Sequence, residues 1–267
     1  MAKQKSFNRK RPDKSNASAE YACGIHAAMA ALERAGENDV SEIKEIYLQE
    51  SRLDKKIEEI AALANARGMS VTRHTKDFLD GLAPGVRHQG VIAALQPYVY
   101  LGESSHLRDI QTEENMKLIL ILDQVQDPHN FGACLRTAEC AGVDAVVIPK
   151  NASCPVNETV RRVSAGAASR VPVVMVTNLA RYIQNIQSLG VWVTGTSDRA
   201  EMSMFDIDLT VNTALVMGAE GTGIRARTAD LCDQLVSIPM KGQTSSLNVS
   251  VATGVVLFEA LRQRLNV

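Results

Sequence analysis

Residues 238–254, Ile-Pro-Met-Lys-Gly-Gln-Thr-Ser-Ser-Leu-Asn-Val-Ser-Val-Ala-Thr-Gly, hold the densest chemistry in the chain. Ile238, Pro239 and Met240 offer apolar surface, and the small residues from Gly242 to Ser246 leave backbone amides unshielded just before a helix. That combination suits a flat ring edged with hydrogen-bonding groups, as in adenine. A second block, Asp123-Gln-Val-Gln-Asp127-Pro128-His129-Asn130-Phe-Gly-Ala-Cys-Leu-Arg136, sets a proline beside short polar side chains, so Asp127 or Asn130 can cap a helix start. Arg136 interrupts a helix face otherwise built of Phe131, Ala133, Cys134, Leu135, Ala138 and Ala141. Helical side chains lean toward the start of their helix, which predicts a guanidinium near the ligand, able to fork onto a phosphate or a developing oxyanion. The third block is Gly218-Ala-Glu220-Gly221-Thr-Gly223. Its glycines permit close backbone approach, and Glu220 among them can hold a polar site in register. The spacing is G-x-x-G-x-G, which fails the dinucleotide fingerprint, and no Walker lysine pattern is present.

Taken singly, each block has a plainer reading as a strand-loop-helix corner, a helix cap or a surface turn. Their positions in the chain make the case. Beyond Met116, continuous apolar runs at 118–122, 145–148, 173–176, 191–194, 214–217 and 235–238 read as strands buried on both faces, with helices between most of them. That pattern predicts an open parallel sheet covered on both sides. Ligands bind such sheets beyond the carboxyl ends of the strands, and the three blocks follow the first, fifth and sixth strands. The helix predicted from Ser246 to about Leu261 carries apolar or small residues nearly all round, so it is expected to be buried. Cover on every side requires more than its own sheet, and a homodimer is the expectation.

The amino-terminal half reads as a second, smaller α/β unit over 21–95. Helical spacing runs from Ala22 through Ile25, Ala28, Met29 and Leu32 to Gly36, and again over 55–66 with Ile57, Ile60, Ala61 and Ala64. Strands are predicted at 43–48, 69–73 and 91–95, with one helical turn at 77–82. From 96 to 115 periodicity fades into a polar run with Pro97 and Gly102, which reads as a linker between domains. Residues 1–20 read as a disordered basic tail, since Lys3, Lys5, Arg9, Lys10, Arg11 and Lys14 oppose only Asp13 in the first fifteen residues.

At 267 residues, 45% hydrophobic and a net charge of −1, the chain has material for two modest domains and is no uniform electrostatic sponge for nucleic acid. Five cysteines, Cys23, Cys134, Cys140, Cys154 and Cys232, form no C-x-x-C pair and meet no histidine at zinc spacing. No metal and a reducing, cytoplasmic compartment are expected. No apolar run approaches the roughly 20 residues of a membrane span.

Together, the blocks at 127–138, 218–223 and 238–252 resemble, in order, the three motifs of the SPOUT-class RNA 2′-O-ribose methyltransferases, the SpoU/TrmH family. The likeness extends over residues 117–264. Tyr21-Ala-Cys-Gly24-Ile25-His26-Ala27 and His88-Gln89-Gly90 are similar to the substrate-binding domain of the branch that modifies a guanosine of bacterial 23S rRNA. The resemblance implies an amino-terminal domain of the ribosomal-protein L30e type that grips structured RNA, over 21–95. It implies a carboxyl-terminal parallel-sheet SPOUT domain over 116–267 with a trefoil knot, an exception to the rule that chains are unknotted. It further implies S-adenosylmethionine as cofactor, held by Gly218, Ile238, Leu247 and Thr196, with two protomers building each active site. Asn130, Arg136, Glu220, Ser246 and Asn248 match the positions associated with catalysis. This chain departs from the family pattern at Ser169, where relatives carry an acidic residue, and in its longer basic tail.

The implied reaction is in-line transfer of a methyl group to a ribose 2′-hydroxyl without metal. Free arginine, with a pKa above ~12, is a poor base, so positioning the target and stabilising the emerging alkoxide are the roles expected of Arg136. Aromatic residues make up 4% of the chain, so phosphate and shape contacts are expected to dominate RNA binding and make it salt-sensitive. Two alternatives are a tRNA ribose methyltransferase and a non-catalytic RNA-binding assembly factor on the same fold.

Overall fold

The computed structural model describes residues 20–37, 43–112, 115–244 and 246–265. The basic tail expected before Tyr21 lies outside these residues except for Glu20. The chain divides into two compact units, and the change falls between Pro97 and Tyr98.

The first unit is a four-stranded sheet in the order β1-β4-β2-β3, formed by β1 (Glu20–Cys23), β2 (Ile43–Gln49), β3 (Val71–His74) and β4 (Val91–Leu95). Helices α1 (Ile25–Glu37) and α2 (Lys55–Ala66) bury Ala28, Leu32, Ile57 and Ile60 against Ile46, Leu48 and Val91. On another cluster, α3 (Lys76–Leu82) sets Leu79 against Ile92. Residues Ala22 and Cys23 form a strand instead of the helix start predicted from their spacing. Gly24, at φ 98°, ends that strand in a backbone region that a β-carbon would strain, and the helix begins only at Ile25. The two segments singled out by resemblance lie side by side. Gly24 N donates to Val91 O at 2.9 Å, and Ile25 N donates to Gln89 Oε1 at 3.4 Å.

The second unit holds six strands, all parallel, in the order β10-β8-β9-β5-β6-β7. They are β5 (Leu118–Asp123), β6 (Ala145–Pro149), β7 (Val173–Val176), β8 (Trp192–Thr196), β9 (Thr213–Gly218) and β10 (Gln234–Val236). Apolar runs buried on both faces produce this, as predicted, and all six residues of β5 are buried. One face is covered by α5 (Pro128–Cys140) and α10 (Val249–Arg264), with α6 (Glu158–Val163) and α7 (Ala167–Arg170) beside α5. The other is covered by α4 (Glu103–Thr112) and α8 (Leu179–Ser188). After β9 only the short turn α9 (Ala226–Ala229) intervenes before β10.

Two expectations change. The segment 96–115 is not a bare linker: α4 buries Ile110 against the sheet, and Leu101 N donates to Val173 O at 2.9 Å. Its few apolar positions are enough because β7 and α8 supply the rest of that core. The last helix starts at Val249, capped by Asn248, and is not buried all round. Val251 and Phe258, seven residues apart and so on one stripe, are 53% and 49% exposed in the single chain.

Candidate active site

Strand β5 is flanked by β6 on one side and by β9 on the other, so the chain leaves it in one direction and returns on the opposite side. Crevices of open sheets form at such a reversal, beyond the carboxyl ends of the strands. Register brings those ends level: Asp123 opposes Gly218, Gly195 opposes Val216, and Val236 opposes Thr196. Each strand then hands its loop to the same edge.

A cavity of about 500 Å³ opens there. Thr196, Gly218, Ile238 and Leu247, the four residues expected to hold the cofactor, all line it. So do Glu220 and Ser246 from the polar set. Apolar floor comes from Met217, Ile224, Leu235 and Val249. The volume falls within the roughly 300–1,000 Å³ of small-molecule sites. Gly218 is required by sterics, because a β-carbon would stand 2.0 Å from the carbonyl carbon of Gly223. The loop doubles back so tightly that Ala219 and Gly223 exchange backbone hydrogen bonds at 3.1 and 2.9 Å. Glu220 is thereby carried at the tip of a short, closed hairpin.

Beneath this hairpin sits a residue that sequence reasoning left unassigned. Asp123 is fully buried at the end of β5, with Oδ1 2.6 Å from Arg225 Nη2, and its Oδ2 accepts from Arg225 N at 3.2 Å. One carboxylate thus fixes both the backbone and the side chain of the residue that closes the glycine loop. A lone polar residue closing an apolar strand run, just below the ligand edge, was the available signal. Arg199, which also lines the cavity, follows β8 outside the three blocks.

At the rim, the blocks meet. Asp127 caps α5, its side chain accepting from Asn130 N at 3.0 Å, so the cap left open between Asp127 and Asn130 belongs to Asp127. Asn130 is therefore available: its Oδ1 accepts from Asn248 Nδ2 at 3.0 Å, and its Nδ2 donates to Glu220 Oε2 at 3.5 Å. Residues 90 and 118 positions apart in sequence are joined by one carboxamide.

Arg136 stands apart from this cluster. It is exposed and does not line the cavity. Six residues beyond Asn130 is about 9 Å along a helix axis, more than the lean of a side chain by one turn recovers. Among the described residues its guanidinium makes no hydrogen bond or ion pair. The thiols of Cys134 and Cys232 are held in the neutral form. Burial pushes Cys134 up to about 11, partly offset by the hydrogen bond its thiol shares with Thr253 Oγ1 as acceptor, and burial with the charges of Asp233 and Asp123 pushes Cys232 up to about 12.

Ser169 donates its hydroxyl to Gly166 O at 2.8 Å, while the neighbouring Arg170 pairs with Glu139 at 2.9 Å. Among the described residues no group of His, Cys, Asp and Glu could hold a metal ion, and no helix is long and apolar enough to cross a membrane.

An open parallel sheet with a cofactor-sized cleft at its reversal point, and two carboxamides bonded in series to a carboxylate that lines it, is the architecture of an α/β protein with a small-molecule site. Residues 117–258 match the model of the SpoU rRNA Methylase family, and residues 21–101 match the RNA 2′-O ribose methyltransferase substrate-binding model. The chain belongs to the SpoU rRNA methylase family. It is 47% identical over 246 residues to the 23S rRNA (guanosine-2′-O-)-methyltransferase RlmB of Xanthomonas campestris, across 92% of this chain and 97% of that protein. The Escherichia coli K12 protein of the same name is 44% identical over 245 residues, covering 92% and 99%. Among solved structures, an AdoMet-bound rRNA methyltransferase from Sinorhizobium meliloti aligns with TM-score 0.64 and 28% identity, covering 91% of this chain and 87% of that one.

Proposed function

We propose that this chain methylates the ribose 2′-hydroxyl of a guanosine in 23S rRNA with S-adenosylmethionine as donor. The observation that carries the reading is that two of the distant blocks line one cavity and the third is joined to them through Asn130, which bonds Glu220 and Asn248, in a chain of this family. Thr196, Gly218, Ile238 and Leu247 would hold the cofactor, whose sulfonium supplies an electrophilic methyl group. Ile238 and Leu247 give apolar contact, and Gly218 allows close approach of backbone. Glu220, Asn130 and Asn248 form a fixed polar rim against which a ribose can be oriented. Near-attack placement of a hydroxyl supplies a large part of such a barrier reduction.

Arg136 enters this reading through a second protomer. α5 and α10 pack together on one face of the sheet, and the exposed stripe of Val251 and Phe258 on α10 offers apolar surface for a twofold partner. A dimer across that stripe lets Arg136 of one protomer serve the cavity of the other, where a guanidinium can hold a phosphate and stabilise an alkoxide. Residues 21–95 act as the RNA-gripping domain in this reading, the 116–267 domain carries the knot, and the enzyme works in the cytoplasm without metal.

The deciding experiment maps ribose methylation after incubating the purified protein with 23S rRNA fragments or with tRNA. A single methylated guanosine in 23S rRNA is expected. Methylation of tRNA alone, or no transfer and no cofactor binding at all, would replace the reading with one of its two alternatives.

A further inference from the structure

The hydrogen bonds at the rim have a direction, and it points to a residue with no role assigned so far. Asn248 Oδ1 accepts from Ser250 N at 3.0 Å and from Ser250 Oγ at 2.6 Å. A backbone N–H can only donate, so the atom facing it must be the amide oxygen, and the NH2 of Asn248 is turned the other way. There it meets Asn130 Oδ1 at 3.0 Å. Asn130 then has only its NH2 left for Glu220, whose carboxylate can only accept. A donor-only group at one end and an acceptor-only group at the other fix both carboxamides, and every bond runs toward Glu220.

We propose that Ser250 is a positioning residue for methyl transfer, its hydroxyl holding Asn248 in the orientation that the backbone N–H selects and through it steadying Asn130 and the Glu220 carboxylate. This deepens, and rests on, the reading of Asn130, Glu220 and Asn248 as the polar rim of the active site. Ser250 does not line the cavity and touches neither end of the cofactor site. Its backbone N–H alone leaves Asn248 with one weak tether at the surface, where water competes for every bond. The backbone N–H selects which atom of Asn248 faces it, and the hydroxyl, donating to the same oxygen at 2.6 Å, adds a second, shorter tether that holds that amide in place. Coupled hydrogen bonds polarise one another, so the effect reaches the far end of the series. A flipped Asn248 would present oxygen to oxygen at Asn130 and break the series at its middle.

The test uses the full chain, S-adenosylmethionine and a 23S rRNA fragment carrying the methylated site. Single-turnover rate, cofactor Kd by calorimetry and melting temperature are read for S250A, S250T and N248A. For S250A the rate should fall roughly tenfold, about what one lost hydrogen bond gives. Cofactor Kd should stay within about twofold and the melting temperature should hold, while S250T, which keeps the hydroxyl, should recover the rate. The double variant S250A/N248A should be no slower than N248A. An unchanged rate in S250A beside an impaired N248A would overturn the role of Ser250 and leave the rim intact. An unchanged N248A would overturn the rim itself, and the proposal with it. Parallel losses of rate, cofactor binding and melting temperature in S250A would assign it to folding instead.

Discussion

Arg136 shows most sharply what a single residue type can and cannot say. A guanidinium among apolar helix positions signals function, yet its distance along α5 keeps it off the cavity of its own protomer. The chemistry was legible because a charge on an otherwise apolar face needs a reason; the place was not, because it depends on how α5 packs against α10 and the sheet. If its planar fork is what matters, Arg136→Lys should lower the methylation rate by about two orders of magnitude, since an ammonium cannot make paired parallel bonds. Cofactor Kd should remain unchanged. A rate within threefold of wild type would leave only point charge as its contribution. Asn130 and Glu220 were recognised by motif position, but their mutual bond depends on a register between β5 and β9 that no local pattern contains.

Among the elements, the glycine hairpin after β9 and the last helix carry the strongest consequences. Gly218 has no room for a β-carbon beside Gly223, so Gly218→Ala must displace the hairpin that carries Glu220. Cofactor affinity is expected to drop at least about tenfold; calorimetric titration giving wild-type affinity would show the hairpin yields cheaply. At the other end of α10, Glu259 accepts from Arg262 Nη2 at 2.7 Å and from Gln263 Nε2 at 2.9 Å, and Gln263 in turn receives Leu209 N at 2.8 Å. The Arg262 guanidinium, opposed by burial and aided by Gln263, pulls the Glu259 carboxyl from its ordinary value near 4.5 down to about 2. A depressed folded value stabilises the protein above the unfolded one, and that contribution fades as pH falls from about 4.5 toward 2. Urea midpoints of wild type and Glu259→Gln should therefore differ at pH 7 and converge in that acid window; a constant difference would dismiss the carboxylate as the cause. Strand positions could be foreseen from apolar runs alone, whereas β1 and α4 were missed. Both are short on periodic apolar residues and owe their form to neighbours: β4 pairs with β1, and β7 and α8 cover α4.

For the molecule as a whole, the exposed stripe on α10 is the feature a single chain leaves unresolved in energy. Apolar side chains at 49% and 53% exposure on a helix otherwise packed into the core invite a partner. Phe258→Glu together with Val251→Glu should convert a dimer to a monomer in sedimentation while the melting profile of the protomer persists. Methylation should be lost with the dimer if Arg136 acts across it. A monomeric variant with full activity would return the entire site to one protomer.

Composition, apolar periodicity and the three blocks determined the two-unit α/β plan, the parallel sheet and the identity of the lining residues that follow the fifth and sixth strands. These are local properties, written in side-chain type and spacing along the chain. Strand order, the level alignment of Asp123, Gly218 and Thr196, the Asp123–Arg225 anchor and the polarity of the Ser250 series belong to tertiary structure alone. They arise where segments a hundred residues apart must share one edge. Sheet pairing and packing settle that geometry collectively, and no window of sequence contains it.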